Sequence, residues 1–287
     1  MSEMLPASPL CVAAVQAEPV PGDVAANAAA AARLLARAAG EGARLVVFPE
    51  LFLPAYDPDA LRADPAGAFL RVGEAERVGD RRLAPLGAAA RRHRVVALVG
   101  AALLRPGGRR TLSSIVVDAE GEAVAAYDKQ HLWGPDEAEL FAPGEAGVTL
   151  RLGDWRLGLG VCYDGCFPEH GRAAALDGAH AYLCPGAFLQ GSQHRRDLYY
   201  AARALDNTMY VVFANSVGGR GRLRFNGGAA IYEPEGRAIA RGGDEGEAVL
   251  VAELDPREIG RVRERHAMLR DRRGDLGGRR SIVVAGG

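Results

Sequence analysis

Short apolar segments of strand length alternate with helix-length segments along most of the chain, and this alternation constrains the fold more than any other feature. Residues 10–16 and 45–48 are typical of strands, while the alanine-rich residues 27–39 favour a helix that Asp23 can cap. Further strands are predicted at residues 95–103, 111–117, 123–127, 157–161, 181–184, 210–214, 228–232, 237–241 and 248–254, and further helices at residues 79–92, 168–177 and 193–207. The pattern predicts an α/β fold of mixed sheets covered by helices.

The composition of this 287-residue chain excludes several classes of function. Lys plus Arg total 35 and Asp plus Glu total 36, so no basic surplus indicates nucleic-acid binding. No segment reaches the ~18 apolar residues that a membrane-spanning helix requires, and residues 1–16 lack the basic start of a secretory signal. Four cysteines are too few for a disulfide framework. We therefore expect a cytoplasmic, reduced protein with no nucleic-acid partner and no membrane partner.

Lysine is almost absent from this chain. Lys129 is the single lysine among the 35 basic residues, and all the others are arginine. A biased genome composition accounts for the arginine excess, and a surface position is the ordinary explanation for one remaining lysine. However, lysine carries a compact ammonium on a flexible stem, whereas arginine carries a broad planar fork. Position 129 is therefore a candidate for a site that requires an ammonium.

Three predicted strands end next to residues that can carry chemistry, namely Glu50, Lys129 and Cys162. In such sheets, sites gather beyond the carboxyl ends of the strands. A thiol at a strand-to-helix turn lies near backbone N–H groups and a helix N-terminus, which favour the thiolate. Each residue alone has an ordinary explanation, such as a solvated glutamate or a buried cysteine. Together they supply the base, the cation and the nucleophile that acyl transfer needs.

The segments that carry these residues resemble the three signatures of the nitrilase superfamily, the carbon–nitrogen hydrolases. The resemblance lies in residues 47–50 (VFPE), residues 127–132 (YDKQHL), and residues 160–164 (GVCYD) with residues 167–169 (FPE). The signatures come in order and at fitting separations. The resemblance extends to residues 141–144 (FAPG), Asn215 and residues 271–273 (DRR), so it covers nearly the whole chain.

The resemblance implies a four-layer α-β-β-α sandwich with mixed sheets, formed by residues 1–287 as a single domain. It implies a homodimer or a larger homo-oligomer, with residues 258–287 as a C-terminal tail involved in assembly. It implies a reaction without a metal ion or an organic cofactor. That reaction is the hydrolysis of a non-peptide C–N bond in a small amide through a thioester acyl-enzyme, with release of ammonia or an amine.

Carried over to this chain, the resemblance assigns Cys162 as the nucleophile and Glu50 as the general base. It assigns Lys129 as the electrostatic stabiliser of the charge that develops on the substrate. The backbone N–H of Tyr163 would share this role. Removing one such donor typically lowers the rate by a factor of about 10²–10³.

A second glutamate is implied close to the lysine. In the family it often lies six residues before the proline of the Pro-Gly pair, and Glu137 has this spacing from Pro143. Glu139 is the competitor, and the spacing favours Glu137. This glutamate would hold Lys129 charged and in place.

Other residues near the signatures have competing explanations. Cys166 is a rival nucleophile, but it lies past the turn, so Cys162 is favoured. Cys162 and Cys166, with His170 beyond, lack the spacing of a zinc knuckle, and the sequence has no second pair, so no metal site is predicted. His131 could line the substrate pocket or make a structural hydrogen bond. Trp133 could lie at the pocket rim or contribute to packing.

The sequence constrains the substrate less than the reaction. Family members that act on N-carbamoyl amino acids or on ω-amides of dicarboxylic acids tend to place an arginine three or four residues after the nucleophile. Gly165 and Cys166 stand there in this chain, although Arg195 or Arg196 could supply the charge from elsewhere. We therefore expect a small amide with a neutral or cationic remainder. A nitrilase or an N-carbamoyl amidohydrolase is the alternative.

A different class of function is a catalytically silent relative that keeps the fold to bind or regulate a partner. Such a relative has no chemical reason to keep all three of Glu50, Lys129 and Cys162. The sequence therefore favours an active amidase.

Overall fold

Fourteen β-strands and nine α-helices form the described part of the chain, residues 4–284, in this computed structural model. The strands are β1 (Leu10–Ala17), β2 (Leu45–Val47), β3 (Phe69–Arg71), β4 (Val96–Leu104), β5 (Arg110–Val117), β6 (Ala123–Asp128), β7 (Thr149–Leu152), β8 (Trp155–Leu159), β9 (Ala181–Gly186), β10 (Tyr210–Arg220), β11 (Leu223–Asn226), β12 (Ala230–Tyr232), β13 (Ala238–Arg241) and β14 (Ala248–Leu254). The helices are α1 (Val24–Gly40), α2 (Pro58–Ala63), α3 (Pro65–Ala68), α4 (Ala84–His93), α5 (Gly134–Leu140), α6 (Pro168–Leu176), α7 (Gln193–Asn207), α8 (Pro256–Arg265) and α9 (Met268–Asp271). Within residues 4–284, no helix has both the length and the apolar character needed to cross a membrane.

Helix α1 shows how the local sequence specifies an element. The Asp23 carboxylate accepts a hydrogen bond from the Ala26 N–H at 2.9 Å and so caps the helix. Leu34 and Leu35 are fully buried on the side that faces the sheet. Burying a leucine side chain contributes about 1.5–3 kcal/mol relative to leaving it exposed, so packing on the sheet holds the helix.

The strands fall into two halves that meet along one short contact. The hydrogen-bonded order is β6-β5-β4-β2-β1 in one half and β10-β9-β8-β7 in the other. Strands β1 and β10 pair at only two positions, Gln16 with Asn215 and Ala17 with Ser216. The inner strands of both halves run parallel, so their carboxyl ends lie at a common edge.

Alternating side chains of these strands divide the interior into three cores. Val12 of β1 and Val212 of β10 both point into a central core between the two halves. Their neighbours Ala13 and Phe213 point the opposite way, toward α1 and α4 or toward α6 and α7. Helices, one half-sheet, the central core, the second half-sheet and helices therefore follow in order. This confirms the predicted four-layer α-β-β-α sandwich.

The first part of the C-terminal tail predicted over residues 258–287 is helical. Helix α8 continues to Arg265 and buries Ile259 and Val262, because these two residues lie one turn apart on the same face. Residues 272–284 do follow as an exposed segment without regular structure. Residues 1–3 of the predicted domain and residues 285–287 of the predicted tail lie outside the described residues.

Candidate active site

The chemistry-bearing residues predicted from the sequence converge at one end of the sandwich. Glu50 lies three residues beyond β2, Lys129 directly follows β6, and Cys162 begins a short 3₁₀-helix that runs to Cys166 after β8. Glu50 and Cys162 line the same cavity, and Lys129 is hydrogen-bonded to Glu50 across 79 positions of sequence. The carboxyl ends of separate strands thus bring the three residues together.

A glycine in a neighbouring strand places Glu50. The chain from Pro49 to Leu51 crosses β4 at Gly100, where a Cβ atom would overlap the backbone of both residues. Leu51 has a φ of 47°, so the loop turns sharply. The Glu50 N–H donates to the Gly186 carbonyl at 3.3 Å. Because only glycine allows this close approach, the loop is held where the Glu50 side chain is completely buried.

A buried cluster of one ammonium and two carboxylates lies at the base of the cavity. Lys129 Nζ donates to Glu50 Oε1 at 2.6 Å and to both carboxylate oxygens of Glu137 at 2.8 Å. Lys129 and Glu50 are completely buried, and Glu137 is nearly so. Burial alone would lower the pKa of Lys129, but the two carboxylates raise it well above its ordinary value. The ammonium is therefore held in its charged form.

The Glu50 carboxylate has fewer hydrogen-bond partners than the Glu137 carboxylate. Its Oε2 atom is buried and has no hydrogen-bond partner among residues 4–284. Burial raises the pKa of Glu50 to about 7, with Lys129 acting to lower it and Glu137 to raise it. A carboxyl group that titrates near neutral pH can both accept and return a proton, which suits a general base.

The structure distinguishes the two candidates for the second glutamate. Glu137, in α5, accepts hydrogen bonds from the Tyr56 hydroxyl at 2.6 Å and the Trp133 N–H at 2.8 Å, in addition to those from the lysine. Glu139 is exposed and pairs with Arg62 at 2.7 Å. The residue at the lysine is therefore Glu137, which the spacing favoured. Sequence reasoning missed Tyr56, since no motif marks it.

Cys162 lies in a strained turn. Its φ of 47° is in the left-handed region, which a non-glycine residue rarely adopts, and the Tyr200 hydroxyl donates to its carbonyl at 3.0 Å. Burial and the Glu50 charge raise the pKa of the Cys162 thiol well above its ordinary value, whereas Lys129 and a backbone hydrogen bond from Ala187 act to lower it. Burial and the Glu50 charge therefore outweigh the stabilisation of the thiolate expected from the turn. Because the thiol stays protonated, it needs a base to become a nucleophile.

Asp164, two residues after the cysteine, connects the cysteine turn to the lysine segment. Its Oδ2 accepts hydrogen bonds from the Val161 N–H at 3.0 Å and the Tyr127 hydroxyl at 2.8 Å. Its Oδ1 accepts one from the His131 N–H at 2.9 Å. Since Val161 directly precedes Cys162 and His131 follows the lysine by two positions, one buried carboxylate fixes both segments. Asp164 lies within the third signature, but no role for it could be predicted from the sequence.

His131, a candidate pocket residue, makes contacts with neighbouring side chains of the fold. Its ring is not among the side chains that line the cavity. Instead, Nδ1 pairs with Asp164 Oδ1 at 2.8 Å, and the ring stacks on Phe167 with 4.1 Å between centroids. The structural hydrogen bond, one of the two alternatives that the sequence left open, is present in the structure.

The cavity beside the cluster has a volume of about 300 Å³ and a mostly apolar surface. Its lining includes Trp133 and Tyr163, two candidate site residues, and also Cys166 and Arg195. Arg196 does not line the cavity, because its guanidinium is completely buried and bonded to the carbonyls of Asn226 and Gly227. The complete lining is Glu50, Tyr56, Trp133, Glu137, Cys162, Tyr163, Cys166, Ala187, Phe188, Leu189, Gln190, Ser192, Arg195 and Tyr199.

No group of histidine, cysteine, aspartate and glutamate side chains within residues 4–284 is arranged to hold a metal ion. The two ring nitrogens of His170 are instead within 2.9 Å of the hydroxyls of Tyr127 and Tyr182. His170 therefore belongs to the packing behind the cysteine turn.

A four-layer sandwich with glutamate, lysine and cysteine at the ends of different strands defines a class of cysteine-dependent hydrolases. The chain belongs to the carbon–nitrogen hydrolase family, whose model matches residues 11–264. The family and the hydrolysis of C–N bonds that the three signatures predict are thereby confirmed.

Similar proteins include enzymes that act on amides. A protein described as "Hydrolase in pqqF 5'region" from Pseudomonas protegens is 33% identical, with 92% of this chain and 90% of that protein covered. An (R)-stereoselective amidase from Pseudomonas sp. is 34% identical, with 90% and 89% covered. The crystal structure of an amidase from Nesterenkonia sp. superposes with a TM-score of 0.79 at 30% identity, covering 96% of this chain and 98% of that one. A mutant of that amidase carries the acetamide moiety of fluoroacetamide on its active-site cysteine.

Proposed function

We propose that this chain hydrolyses a small amide through Cys162 as the nucleophile, Glu50 as the general base and Lys129 as the electrostatic stabiliser. The main support is that Glu50 and Cys162 face the same cavity while Lys129 bonds Glu50 and Glu137 behind it. Burial keeps the thiol protonated and raises the pKa of Glu50 to about 7. At neutral pH the thiol can therefore donate a proton and an ionised Glu50 can accept it.

Acylation begins with transfer of the Cys162 proton to Glu50. The thiolate attacks the amide carbon to form a C–S bond, and the carbonyl electron pair moves onto oxygen. The oxyanion is stabilised by the Lys129 ammonium and by the N–H of Tyr163, which makes no backbone hydrogen bond within residues 4–284. Glu50 then gives its proton to the leaving nitrogen as the C–N bond breaks. Ammonia or an amine leaves, and a thioester remains.

Deacylation uses the same groups with water as the nucleophile. Glu50 takes a proton from the water, whose oxygen attacks the thioester carbon. The second oxyanion forms against Lys129 and Tyr163, and collapses with cleavage of the C–S bond. The proton on Glu50 returns to the Cys162 sulfur, and the carboxylic acid leaves. Glu137 keeps the ammonium charged and in place through both steps.

The cavity favours a short acyl group with an apolar chain. Phe188, Leu189 and Tyr199 supply apolar wall within a volume of about 300 Å³. Mutants of the Nesterenkonia amidase have been crystallised with acrylamide and with butyramide, which are primary amides of this size. We therefore place small primary amides ahead of nitriles and N-carbamoyl compounds.

The test is ammonia release from a panel of primary amides, nitriles and N-carbamoyl compounds. We expect turnover of short primary amides and its loss in Cys162→Ala, with a thioester adduct on Cys162 visible by mass spectrometry of the wild type. Cys11→Ala, which changes a thiol on β1, is the matched control and should keep full activity. An active Cys162→Ala variant together with an inactive Cys166→Ala variant would transfer the nucleophile role to Cys166.

The outer face of α6 and α7 supports a homodimer or larger homo-oligomer. Leu198 and Leu205 lie two turns apart on one face of α7 and are 67% and 44% exposed, and Leu176 at the end of α6 is 50% exposed. Light scattering should give a dimer or larger species for the wild type and a smaller one for Leu198→Glu. A monomeric wild type would contradict the proposal.

The single domain and the cytoplasmic location are also proposals. The central core takes side chains from both halves of the sheet and from α8, which supports one folding unit. The four cysteines, Cys11, Cys162, Cys166 and Cys184, are all free thiols, which suits a reducing compartment. Limited proteolysis should remove the exposed residues 272–284, which lie within the tail proposed for assembly (residues 258–287), and leave one resistant fragment.

A further inference from the structure

Two carboxylates line the cavity, so the proton that leaves the Cys162 thiol has two possible acceptors. Glu50 and Glu137 both bond to the Lys129 ammonium, and both border the cavity. The proposed reaction needs the proton on Glu50, because that carboxyl group later gives it to the leaving nitrogen. The surroundings of the two carboxylates must therefore make them unequal.

Hydrogen bonds make the two carboxylates unequal. Glu137 Oε1 accepts a bond from the Tyr56 hydroxyl at 2.6 Å, and its Oε2 accepts one from the Trp133 N–H at 2.8 Å. Lys129 Nζ donates to both oxygens as well. Glu50 accepts the lysine bond on Oε1, and its Oε2 has no partner among residues 4–284. Because hydrogen bonds to a carboxylate favour its ionised form, the proton is more readily held by Glu50.

Tyr56 is the part of this arrangement that the proposed reaction does not otherwise use. Its side chain is buried, lines the cavity and packs edge-on against the ring of Phe225, with 6.0 Å between centroids. Burial and the Glu137 charge raise the pKa of Tyr56 far above its ordinary value, so its hydroxyl keeps its proton and remains a donor. Tyr56 and Glu50 lie on the same segment between β2 and α2. One segment thus supplies both the base and a donor to the other carboxylate.

The other ionisable groups around the pair do not distinguish the two carboxylates in this way. The ammonium bonds to both. The thiols of Cys162 and Cys184 respond to the Glu50 charge, but burial raises the pKa of both well above the usual range, so neither is charged at neutral pH. Among residues 4–284, the Tyr56 hydroxyl is therefore the side-chain donor that favours one carboxylate alone.

We propose that Tyr56 is a positioning residue, whose hydroxyl holds Glu137 ionised and so directs the proton of the Cys162 thiol to Glu50. This inference rests on the proposed function and adds a residue that acts through Glu137 rather than on the substrate. The same proton then passes from Glu50 to the leaving nitrogen, so the transfer is balanced within the site. Without the hydroxyl, Glu137 competes for the proton, and the pair of carboxylates becomes protonated at a higher pH.

The first test is Tyr56→Phe, which keeps the ring that packs on Phe225 and removes only the hydroxyl. We expect the acidic fall in kcat/KM for a short primary amide to move up by about one pH unit, a shift that one hydrogen bond to a charged group can supply. Tyr210→Phe is the matched control, since it removes a buried tyrosine hydroxyl that bonds to the Asp255 backbone outside the cavity. It should leave the pH profile unchanged. A folded Tyr56→Phe variant with the pH profile of the wild type would overturn the proposal and leave the reaction intact.

Two further measurements do not depend on turnover. Infrared spectroscopy of the wild type should show a protonated carboxyl band that appears as the pH falls through about 7, is missing in Glu50→Gln and persists in Glu137→Gln. A band that Glu137→Gln removes and Glu50→Gln leaves would overturn the proposal.

Labelling of Cys162 by iodoacetamide requires the same proton transfer, so its pH dependence should shift in Tyr56→Phe as kcat/KM does. An unchanged pH dependence of labelling would contradict the role of Tyr56. A shift in labelling, together with no hydrolysis of any amide by the wild type, would leave that role intact and overturn the proposed function.

Discussion

Two cations in this protein, Lys129 and Arg196, are completely buried, yet their surroundings differ. Within residues 4–284, the Lys129 ammonium bonds only to carboxylate oxygens, those of Glu50 and Glu137, at the base of a cavity. A compact ammonium fits between two carboxylates, and both of these carboxylates line the cavity.

Arg196 is bonded mainly to fixed parts of the fold. Its Nη1 donates to the carbonyls of Asn226 and Gly227 at 2.7 and 2.8 Å. Its Nε and Nη2 pair with Asp197 and Asp244 at 2.9 and 3.1 Å. Every nitrogen of the planar fork is used, so the side chain joins α7 to the segment after β11.

This difference shows that burial of a charge does not by itself indicate function. The cluster around Lys129 borders a cavity and contains an unsatisfied oxygen, Oε2 of Glu50. The surroundings of Arg196 have neither property. The two cations should therefore fail in opposite ways when each is exchanged for the other.

The largest effect is expected from Lys129→Arg. The broader guanidinium cannot keep all three short bonds to Glu50 and Glu137 without entering the space of the substrate. We expect kcat/KM for a short primary amide to fall by about 10³-fold, the scale of losing an oxyanion stabiliser. Steady-state kinetics would measure the loss, and urea unfolding would establish that the protein is folded. A folded variant with nearly normal turnover would contradict the role of the ammonium.

The reciprocal exchange, Arg196→Lys, should reduce stability rather than activity. One ammonium cannot reach Asn226, Gly227 and the two aspartates at once, so buried acceptors lose their donors. We expect the free energy of unfolding to fall by about 3 kcal/mol, with turnover per folded molecule nearly unchanged. Arg241→Gln, which removes an exposed partner of Asp197, is the control and should cost less than about 1 kcal/mol. A stable but inactive Arg196→Lys variant would contradict the view that Arg196 stabilises the fold while Lys129 serves the reaction.

Asp164 is an intermediate case. Like Arg196 it is hydrogen-bonded to several fixed groups of the fold, but it lies two residues after the reacting thiol of Cys162. Asp164→Asn removes one acceptor from the Val161, Tyr127 and His131 donors. We expect kcat to fall by about 10–100-fold with a smaller change in KM, since a small misplacement of a nucleophile is costly. Iodoacetamide labelling of Cys162 should slow in parallel.

The control for Asp164→Asn is Asp118→Asn, which alters a carboxylate that accepts backbone hydrogen bonds in the β5–β6 turn. It should affect stability alone. If Asp164→Asn changes only stability as well, Asp164 belongs with Arg196 as a structural charge.

The smallest predicted effect is a pH dependence. Because burial raises the pKa of Glu50 to about 7, the active, ionised base should be lost as the pH falls through that value. We expect kcat/KM to fall about tenfold per pH unit on the acidic side, well above the range of an ordinary glutamate. In Arg196→Lys, the fall in kcat/KM should occur at the same pH as in the wild type. A fall in kcat/KM near the ordinary pKa of glutamate would show that burial does not raise the pKa of Glu50.

Much of the fold could be predicted because its elements follow local rules. The sequence pattern predicted α7 with the ends that it has, and predicted β1, β4 and β14 to within one residue at each end. Helices α5 and α8 were missed, as were the short helices α2, α3 and α9. The apolar residues of α5 and α8 are few and are surrounded by charge, so the sequence offers few apolar positions to mark them.

The candidate site was predicted in part for the same reason. Glu50, Lys129 and Cys162 were found because each follows a recognisable strand, and Glu137 because of its spacing from Pro143. Tyr56 and the role of Asp164 were not found, since their hydrogen bonds join residues 81 and 33 positions apart.

The sequence by itself therefore determined the family, the alternation of elements and the identity of the lone lysine as a special position. Tertiary structure alone decided which charges became part of the cavity. Arg195 and Arg196 are adjacent in sequence, yet one lines the cavity and the other is buried in the scaffold. The physical reason is that successive residues of a helix point about 100° apart, so neighbouring side chains meet different surroundings.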